Sequence, residues 1–274
     1  QPPPLLFVHG EPDSLRTRQL AIVGTRNPTP PSRETARHFA AHLAEGGLTI
    51  TSGLALGIDA AAHQGALASG GRTIAVMGTS LDRVYPAKHR DLAHAIAESG
   101  ALVSELPIGT AALAENFPRR NRLISGLALG VLVVEAAIQS GSLITARLAL
   151  DQGREVFAIP GSIHNPLVKG CHALIRQGAK LVETATDILE ELDALAAVVT
   201  DEPAASSALA ETASRLDEDY RQLLAAMGDG PVGVDLLVER CGLTAEAVSS
   251  MLLILELEGY ATAVPGGLYC RLKP

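Results

Sequence analysis

The chain has 274 residues, with 22 Lys and Arg against 30 Asp and Glu and a formal net charge of −8. Hydrophobic residues make up 47% and charged residues 19%, which excludes wholesale disorder, and the length fits one large domain plus one small one. Aromatics are 3% with no Trp, so the core must be built from Ala, Leu, Ile and Val.

No apolar run reaches the roughly 18 residues a spanning helix needs, so no membrane insertion is expected. The chain opens on Gln1 with no basic-then-apolar leader, and reads as trimmed at that end. Three scattered cysteines, Cys171, Cys241 and Cys270, give neither a disulfide framework nor metal-ligand spacing. A reducing cytoplasm is the expected location. His38 and His42 stand four apart, but nothing nearby completes a metal site. No metal and no cofactor are expected.

In chain order, strands are predicted at 20–24, 48–51, 73–77, 101–103, 131–135 and 155–159, most of them near-continuous apolar runs. Helices are predicted at 32–45, 58–69, 89–98, 119–129 and 142–152, with a short sixth at 173–177 and another at 187–199. The alternation reads as an α/β fold: an extended Rossmann-like, mostly parallel sheet with helices on both faces. Residues 200–214 are small, polar and acidic, and read as a linker. Helices at 216–227, 234–241 and 245–258, then a hairpin over 260–264 and 268–272, give the order of a small C-terminal winged helix-turn-helix. The expected domains are therefore 1–199, a linker over 200–214, and 215–274.

Charge follows the same division. Residues 1–180 carry 17 Lys and Arg against 13 Asp and Glu, and residues 181–274 carry 5 against 17. The large domain is mildly basic, and phosphate binding depends on the local field rather than on the sum.

In an open parallel sheet ligands bind beyond the carboxyl ends of the strands. The loops expected there are Gly24–Asn27, Ser52–Asp59, Gly78–Ser80, Gln139–Ser142 and Pro160–Ser162, all rich in Gly, Ser and Thr. Small residues let a backbone approach an anion; each loop alone reads better as a tight turn, and it is their number on one edge that points to phosphate. Gly53-x-x-x-Gly57 is not a dinucleotide fingerprint, and no Walker lysine is present.

Phe117-Pro118-Arg119-Arg120-Asn121-Arg122 places three arginines at a predicted helix start, where the helix dipole disfavours cations unless an anion compensates. Phe117 offers a flat surface for a base. The plainer alternative is a solvated basic turn with one Arg bonded to Glu115 or Glu135. Arg26 is a candidate for the same site, or a cover for the sheet edge. Lys169, Arg176 and Lys180 are further basic candidates. Asp59, His63 and Glu135 read better as a helix cap, a packed histidine and an arginine holder than as acid–base machinery. No activated nucleophile is recognisable, and no catalytic residue is assigned.

Together these motifs resemble the DNA-processing protein A family (DprA, also called Smf). The carrying residues are Gly24-Thr25-Arg26, Ser52-Gly53-x-Ala55-x-Gly57-Ile58-Asp59, Tyr85-Pro86, the Phe117–Arg122 stretch running on to Ile124-Ser125, Val134-Glu135-Ala136 with Ser140–Ala146, and Lys169-Gly170-Cys171 with Leu174-Ile175 and Gly178-Ala179. They cover about residues 5–185. Leu56 stands where many members carry Arg, and His172 where many carry Asn.

The resemblance implies a protein that binds and protects single-stranded DNA, loads the RecA recombinase during natural transformation, and dimerises through its Rossmann domain. It also implies a helical N-terminal domain in many members. The site residues it implies are Arg26, Ser52, Gly53, Gly57, Phe117, Arg119, Arg120, Asn121, Arg122, Ser140, Gly141, Ser142 and Lys169. Within them Arg26, Arg120 and Arg122 are expected to converge on phosphates.

The competing reading is a nucleotide N-glycosidase of the phosphoribohydrolase type acting through Glu135. The loop after that residue lacks the paired glycines and the acid of that family's signature. In the winged helix, residues 245–258 hold Glu246, Glu256 and Glu258 and no Lys or Arg, so an accessory role with little DNA affinity is expected there.

Overall fold

The computed structural model describes residues 2–199, 218–228, 230–257, 260–264 and 268–271. The predicted linker lies outside the described residues. The chain divides into two compact units, Gln1–Leu195 and Ala196–Pro274.

The first unit is built on an eight-stranded sheet. Its strands are β1 (Phe7–Gly10), β2 (Gln19–Val23), β3 (Thr49–Ser52), β4 (Thr73–Val76), β5 (Ala101–Ser104), β6 (Gly130–Val133), β7 (Glu155–Ala158) and β8 (Lys180–Leu181). Their order across the sheet is β1-β5-β4-β3-β2-β6-β7-β8. All neighbours are parallel except β1, which pairs antiparallel with β5 through Phe7–Ser104 and Gly10–Ala101. The helices are α1 (Pro30–Glu45), α2 (Ile58–Ala68), α3 (Arg90–Ser99), α4 (Asn116–Leu127), α5 (Ser142–Asp151), α6 (Lys169–Arg176) and α7 (Ala185–Val199).

Period-two alternation along the strands fills two cores. Leu20, Ile22, Ile50, Leu132 and Phe157 face α1, α2 and α7. Ala21, Val23, Val131, Val133 and Val156 face α4, α5 and α6. Both faces of the central strands are therefore covered, which explains their unbroken apolar runs. A third cluster packs Ala93 and Ile96 of α3 under Leu102 and Met77.

Chain direction across the sheet reverses between β2 and β6. From β2 the chain moves outward through β3, β4 and β5, then returns to place β6 on the other side of β2. The carboxyl ends of β2 and β6 therefore part and leave a crevice at this switch point.

The second unit holds α8 (Glu218–Met227), β9 (Val232–Gly233), α9 (Val234–Cys241), α10 (Ala245–Leu257), β10 (Ala261–Val264) and β11 (Leu268–Arg271). Its sheet runs β10-β11-β9, antiparallel throughout. Leu223, Met227, Leu237, Val248, Leu252 and Leu255 form its core. Gly242 closes α9 in the left-handed region at φ +67°, and the Thr244 hydroxyl accepts the Ala247 N–H at 3.2 Å to cap α10. This is a winged helix. The short β9 that completes its sheet is invisible in the sequence, because two residues carry no periodicity.

Candidate nucleic-acid interface

A cavity of about 700 Å³ opens at the switch point. The β2–α1 loop supplies Gly24, Thr25 and Arg26 to it, the segment into α5 supplies Gln139–Ser142, and α4 supplies Phe117, Arg120 and Asn121.

The loop carrying Arg26 is held from two sides. The Thr25 N–H donates to the Glu135 carbonyl at 2.7 Å, and the Ile58 N–H donates to the Thr25 carbonyl at 3.2 Å. Gly57 sits at φ +82°, and a Cβ there would lie 2.4 Å from the Thr25 oxygen, so only glycine lets α2 start this close. The loop's far end is fixed by Glu135, which is fully buried. Its carboxylate accepts the Thr29 N–H (3.1 Å), the Thr29 hydroxyl (2.8 Å) and the Ser32 hydroxyl (2.6 Å). Glu135 therefore ties β6 to the start of α1 and holds no arginine, contrary to the sequence reading.

The three arginines of the α4 motif do not act together. Helix α4 begins at Asn116, three residues before the predicted start, so Arg119, Arg120 and Arg122 point to different sides of an established helix. Arg120 is 5% exposed. Its Nη1 donates to the Gly53 carbonyl at 2.8 Å and to the Val76 carbonyl, joining the ends of β3 and β4. A Cβ on Gly53 would lie 2.6 Å from Nη1 and from Nη2 of Arg120, so that glycine makes room for the arginine. Burial pulls Arg120 down to about 10, partly offset by the charge of Asp59, so it remains a cation at neutral pH.

Arg122 forms a two-pronged pair with Glu105, Nη1–Oε1 3.0 Å and Nη2–Oε2 2.6 Å, with both side chains largely buried. Arg119 is exposed and away from the cavity wall. The expected convergence of Arg26, Arg120 and Arg122 is thus corrected. One of the three lies exposed at the cavity, one braces its floor, and one is neutralised by a carboxylate.

Arg26 is the exposed one. Its guanidinium carbon stands 5.9 Å from the centroid of the Phe117 ring, within cation–π range, and no ion pair engages it among the described residues. Tyr85, which follows β4 and precedes a cis peptide to Pro86, stacks at a tilt on Phe117 with ring centroids 5.4 Å apart. The side-chain amides of Asn121 and Gln139 also line the cavity and have no hydrogen-bond partner among the described residues.

The remaining expected site residues fall into a second layer or elsewhere. Ser52 is fully buried and donates to the Ile22 carbonyl at 2.6 Å. Asp59 does not cap its own helix. It accepts the Gly53 and Ala55 N–H groups at 3.1 and 3.4 Å, so it holds the β3–α2 loop, and burial raises its pKa against the pull of Arg120. Ser140, Gly141 and Ser142 line the cavity, but the first turn of α5 already uses its donors. Ser142 N–H bonds Ser140 Oγ (3.3 Å), Leu143 N–H bonds the Ser140 carbonyl, and Ile144 N–H bonds the Gly141 carbonyl. That helix end contributes its dipole rather than free donors. Lys169 is exposed at the start of α6, beside Gly170, whose N–H donates to the Ala136 carbonyl at 2.7 Å. Lys180 pairs with Glu191, Arg176 is exposed, and His172 bonds the backbone of Gly161.

Comparison with known proteins matches this arrangement. The family described as DNA recombination-mediator protein A matches residues 1–193, and the DprA winged helix domain matches residues 202–267. The chain belongs to the DprA/Smf family. It is 49% identical over 272 residues to protein Smf of Escherichia coli K12, covering 99% of this chain and 72% of that one. It is 47% identical over 191 residues to the DNA processing protein DprA of Streptococcus pneumoniae, covering 70% and 67%.

Among solved structures, the X-ray structure of DprA from Streptococcus pneumoniae superposes with a TM-score of 0.66 at 46% identity, over 69% of this chain and 66% of that one. DprA from Helicobacter pylori, described in terms of its single-stranded DNA binding mode, gives 0.65 at 32% identity over 70% and 88%. No helix among the described residues is long and apolar enough to cross a membrane.

Proposed function

We propose that this chain binds single-stranded DNA in the switch-point cavity, protects it, and loads the RecA recombinase onto it in natural transformation and recombination. It works as a cytoplasmic homodimer joined through its Rossmann-like layer, and carries out no chemical step on the strand. The observation that carries the reading is the Arg26 guanidinium, held by a braced loop over the Phe117 ring at an open cavity. A cation beside an aromatic pair is the pairing that grips a phosphate and a base together. Family membership and the Helicobacter pylori relative support the same conclusion.

The N-glycosidase alternative loses its proposed base. Glu135 is fully buried, saturated by three hydrogen bonds, and absent from the cavity wall. Lys169, Arg119 and the amides of Asn121 and Gln139 are proposed as outer contacts along the strand.

The test is a salt series with labelled oligothymidylate and its matched duplex. Each neutralised phosphate contributes about −0.7 to the slope of log K against log salt for single strands. Arg26→Ala should lower the slope by about that amount while leaving thermal stability unchanged. A parent protein that prefers duplex, or a variant with the parental slope, overturns the assignment.

A further inference from the structure

The sequence marks Phe117 as the surface on which a base would stack, but in the fold that ring is half-buried and engaged by three neighbours. A Cβ on Gly78 would lie 2.6 Å from Phe117 Cδ1, so the ring presses on the backbone just past β4. The Arg26 guanidinium stands 5.9 Å from its centroid, and the Tyr85 ring 5.4 Å away at an angle of 48°. Backbone, cation and a second ring thus occupy much of the surface of Phe117, which keeps only part of its ring on the cavity wall.

Tyr85 is different. It is 51% exposed although its ring is backed by Phe117. It lines the large cavity and also a smaller hollow of about 60 Å³, whose walls include Leu56 and Pro86. Arg26, Phe117 and Arg120 line both hollows too, and of the two rings at this boundary Tyr85 is the exposed one. The segment carrying it is well fixed. The Thr79 hydroxyl donates to the Arg83 carbonyl (2.6 Å), the Ser80 hydroxyl to the Thr110 carbonyl (3.0 Å), and His89 Nδ1 to the Leu54 carbonyl (2.9 Å). A platform held in this way loses little further freedom when a base settles on it.

We propose that Tyr85, rather than Phe117, is the base-stacking residue, and that it is what makes the site select unpaired strands. This rests on the single-stranded DNA reading above. Its ring meets a nucleobase face at the boundary of the two hollows and parts that base from its neighbour. In a duplex both faces of each base are covered by adjacent pairs, and exposing one requires unpairing and unstacking. Phe117 positions the Tyr85 ring, and Arg26 holds the adjoining phosphate.

The experiment uses the full chain with labelled oligothymidylate and the matched duplex, read by anisotropy and by tyrosine fluorescence. The chain has no Trp and three other tyrosines, Tyr220, Tyr260 and Tyr269, all in the second unit. The parent's fluorescence should be quenched by the single strand, and the quench should vanish in Tyr85→Phe, whose affinity stays near parental because the ring and not the hydroxyl is used. Tyr85→Ala and Tyr85→Leu should lose single-strand affinity by about ten- to a hundredfold, the range of one base–aromatic stack. Their salt slope and duplex affinity should be unchanged, so the preference for single strands collapses. An Ala variant that binds as the parent does, an equal loss on both DNA forms, or a quench that persists in Tyr85→Phe overturns the proposal while leaving the binding reading intact. A parent that binds no single strand overturns the reading beneath it.

Discussion

Replacing Arg120 by Ala separates a strut from a ligand. In the fold its guanidinium bridges the carbonyls of Gly53 and Val76 and faces the buried carboxyl of Asp59. Removing it leaves two buried acceptors unpaired, at about 1–3 kcal/mol each. It also removes the cation whose charge opposes the effect of burial on Asp59, although no ion pair joins the two side chains. The two acceptors share one cavity floor and their costs overlap, so a loss within their joint range, about 3–5 kcal/mol, is expected rather than its upper end. For a unit of this size each 1 kcal/mol lowers the melting temperature by about 2–4 °C, so Arg120→Ala should melt roughly 6–20 °C below the parent by calorimetry. Arg120→Met keeps the stem and much of the volume, and should still lose most of that stability because the hydrogen bonds are gone. The reasoning fails if either variant melts within about 2 °C of the parent. If such a stable variant also shows a reduced salt slope, Arg120 is a phosphate ligand after all.

Other outcomes follow from the same geometry. Gly53→Ala places a methyl 2.6 Å from the Arg120 guanidinium, and should destabilise by about 1–3 kcal/mol in urea unfolding, in the direction of Arg120→Ala. Arg122→Ala should lower stability through Glu105 yet keep the parental salt slope, the reverse of Arg26→Ala. His63 is fully buried with Nδ1 2.6 Å from the Thr73 hydroxyl, and burial brings it down to about 3 from 6.5. The unfolded chain therefore takes up a proton on this residue between pH 6.5 and 3 while the folded one does not, and stability is complete above 6.5 and lost as pH falls. His63→Gln should remove about 3 kcal/mol of the parent's stability loss between pH 6.5 and 4. Asp59, whose folded pKa is raised, works in the opposite sense in both proteins and drops out of the difference.

The central strands were legible because burial on both faces writes itself as continuous Val, Ile, Leu and Ala, and each observed strand lies within one residue of its predicted start. Strands β1 and β8 were not. The first is a short antiparallel edge containing His9 and Gly10, and the second is the two residues Lys180–Leu181. The edge that carries the site was legible, since the Gly-, Ser- and Thr-rich loops all fall at carboxyl ends, whereas the strand order that opens the crevice was not. Nor were the roles of the side chains in it. Arg120 and Arg122 differ by two positions on a helix, about 200° of rotation, which turns one inward under the floor and the other to Glu105. Only the helix register distinguishes them, and Pro118 hid that register, because it reads as a boundary yet is tolerated in a first turn. The sequence gives Tyr85 no role beyond its match to the family motif. It lies nine residues beyond the end of β4, too far along a loop for strand position to mark it, and only the fold returns it to the edge that carries Arg26.

The winged helix makes the complementary point, that a fold shaped for DNA need not read it. Its second and third helices have the capping that defines the motif, with Gly242 ending one and Thr244 starting the next. Sequence recognition by such a unit requires Arg, Lys, Asn or Gln on the third helix to meet base edges, and cations nearby to hold phosphates. Helix α10 has none of these four residue types, and among its described residues the exposed positions are Ala245, Ser249, Ser250 and Glu256. Residues 215–274 as a whole carry 5 Lys and Arg against 9 Asp and Glu. With few phosphates neutralised, even the sequence-independent part of the affinity is lost, and that part alone brings ordinary duplex binders to about 10⁻⁴–10⁻⁶ M. A fragment spanning 215–274 should therefore show no duplex binding below about 10⁻⁴ M at 0.15 M salt, by anisotropy with a labelled 20-base-pair probe. Micromolar binding that weakens with salt would mean that cations elsewhere on the unit take over the role α10 lacks.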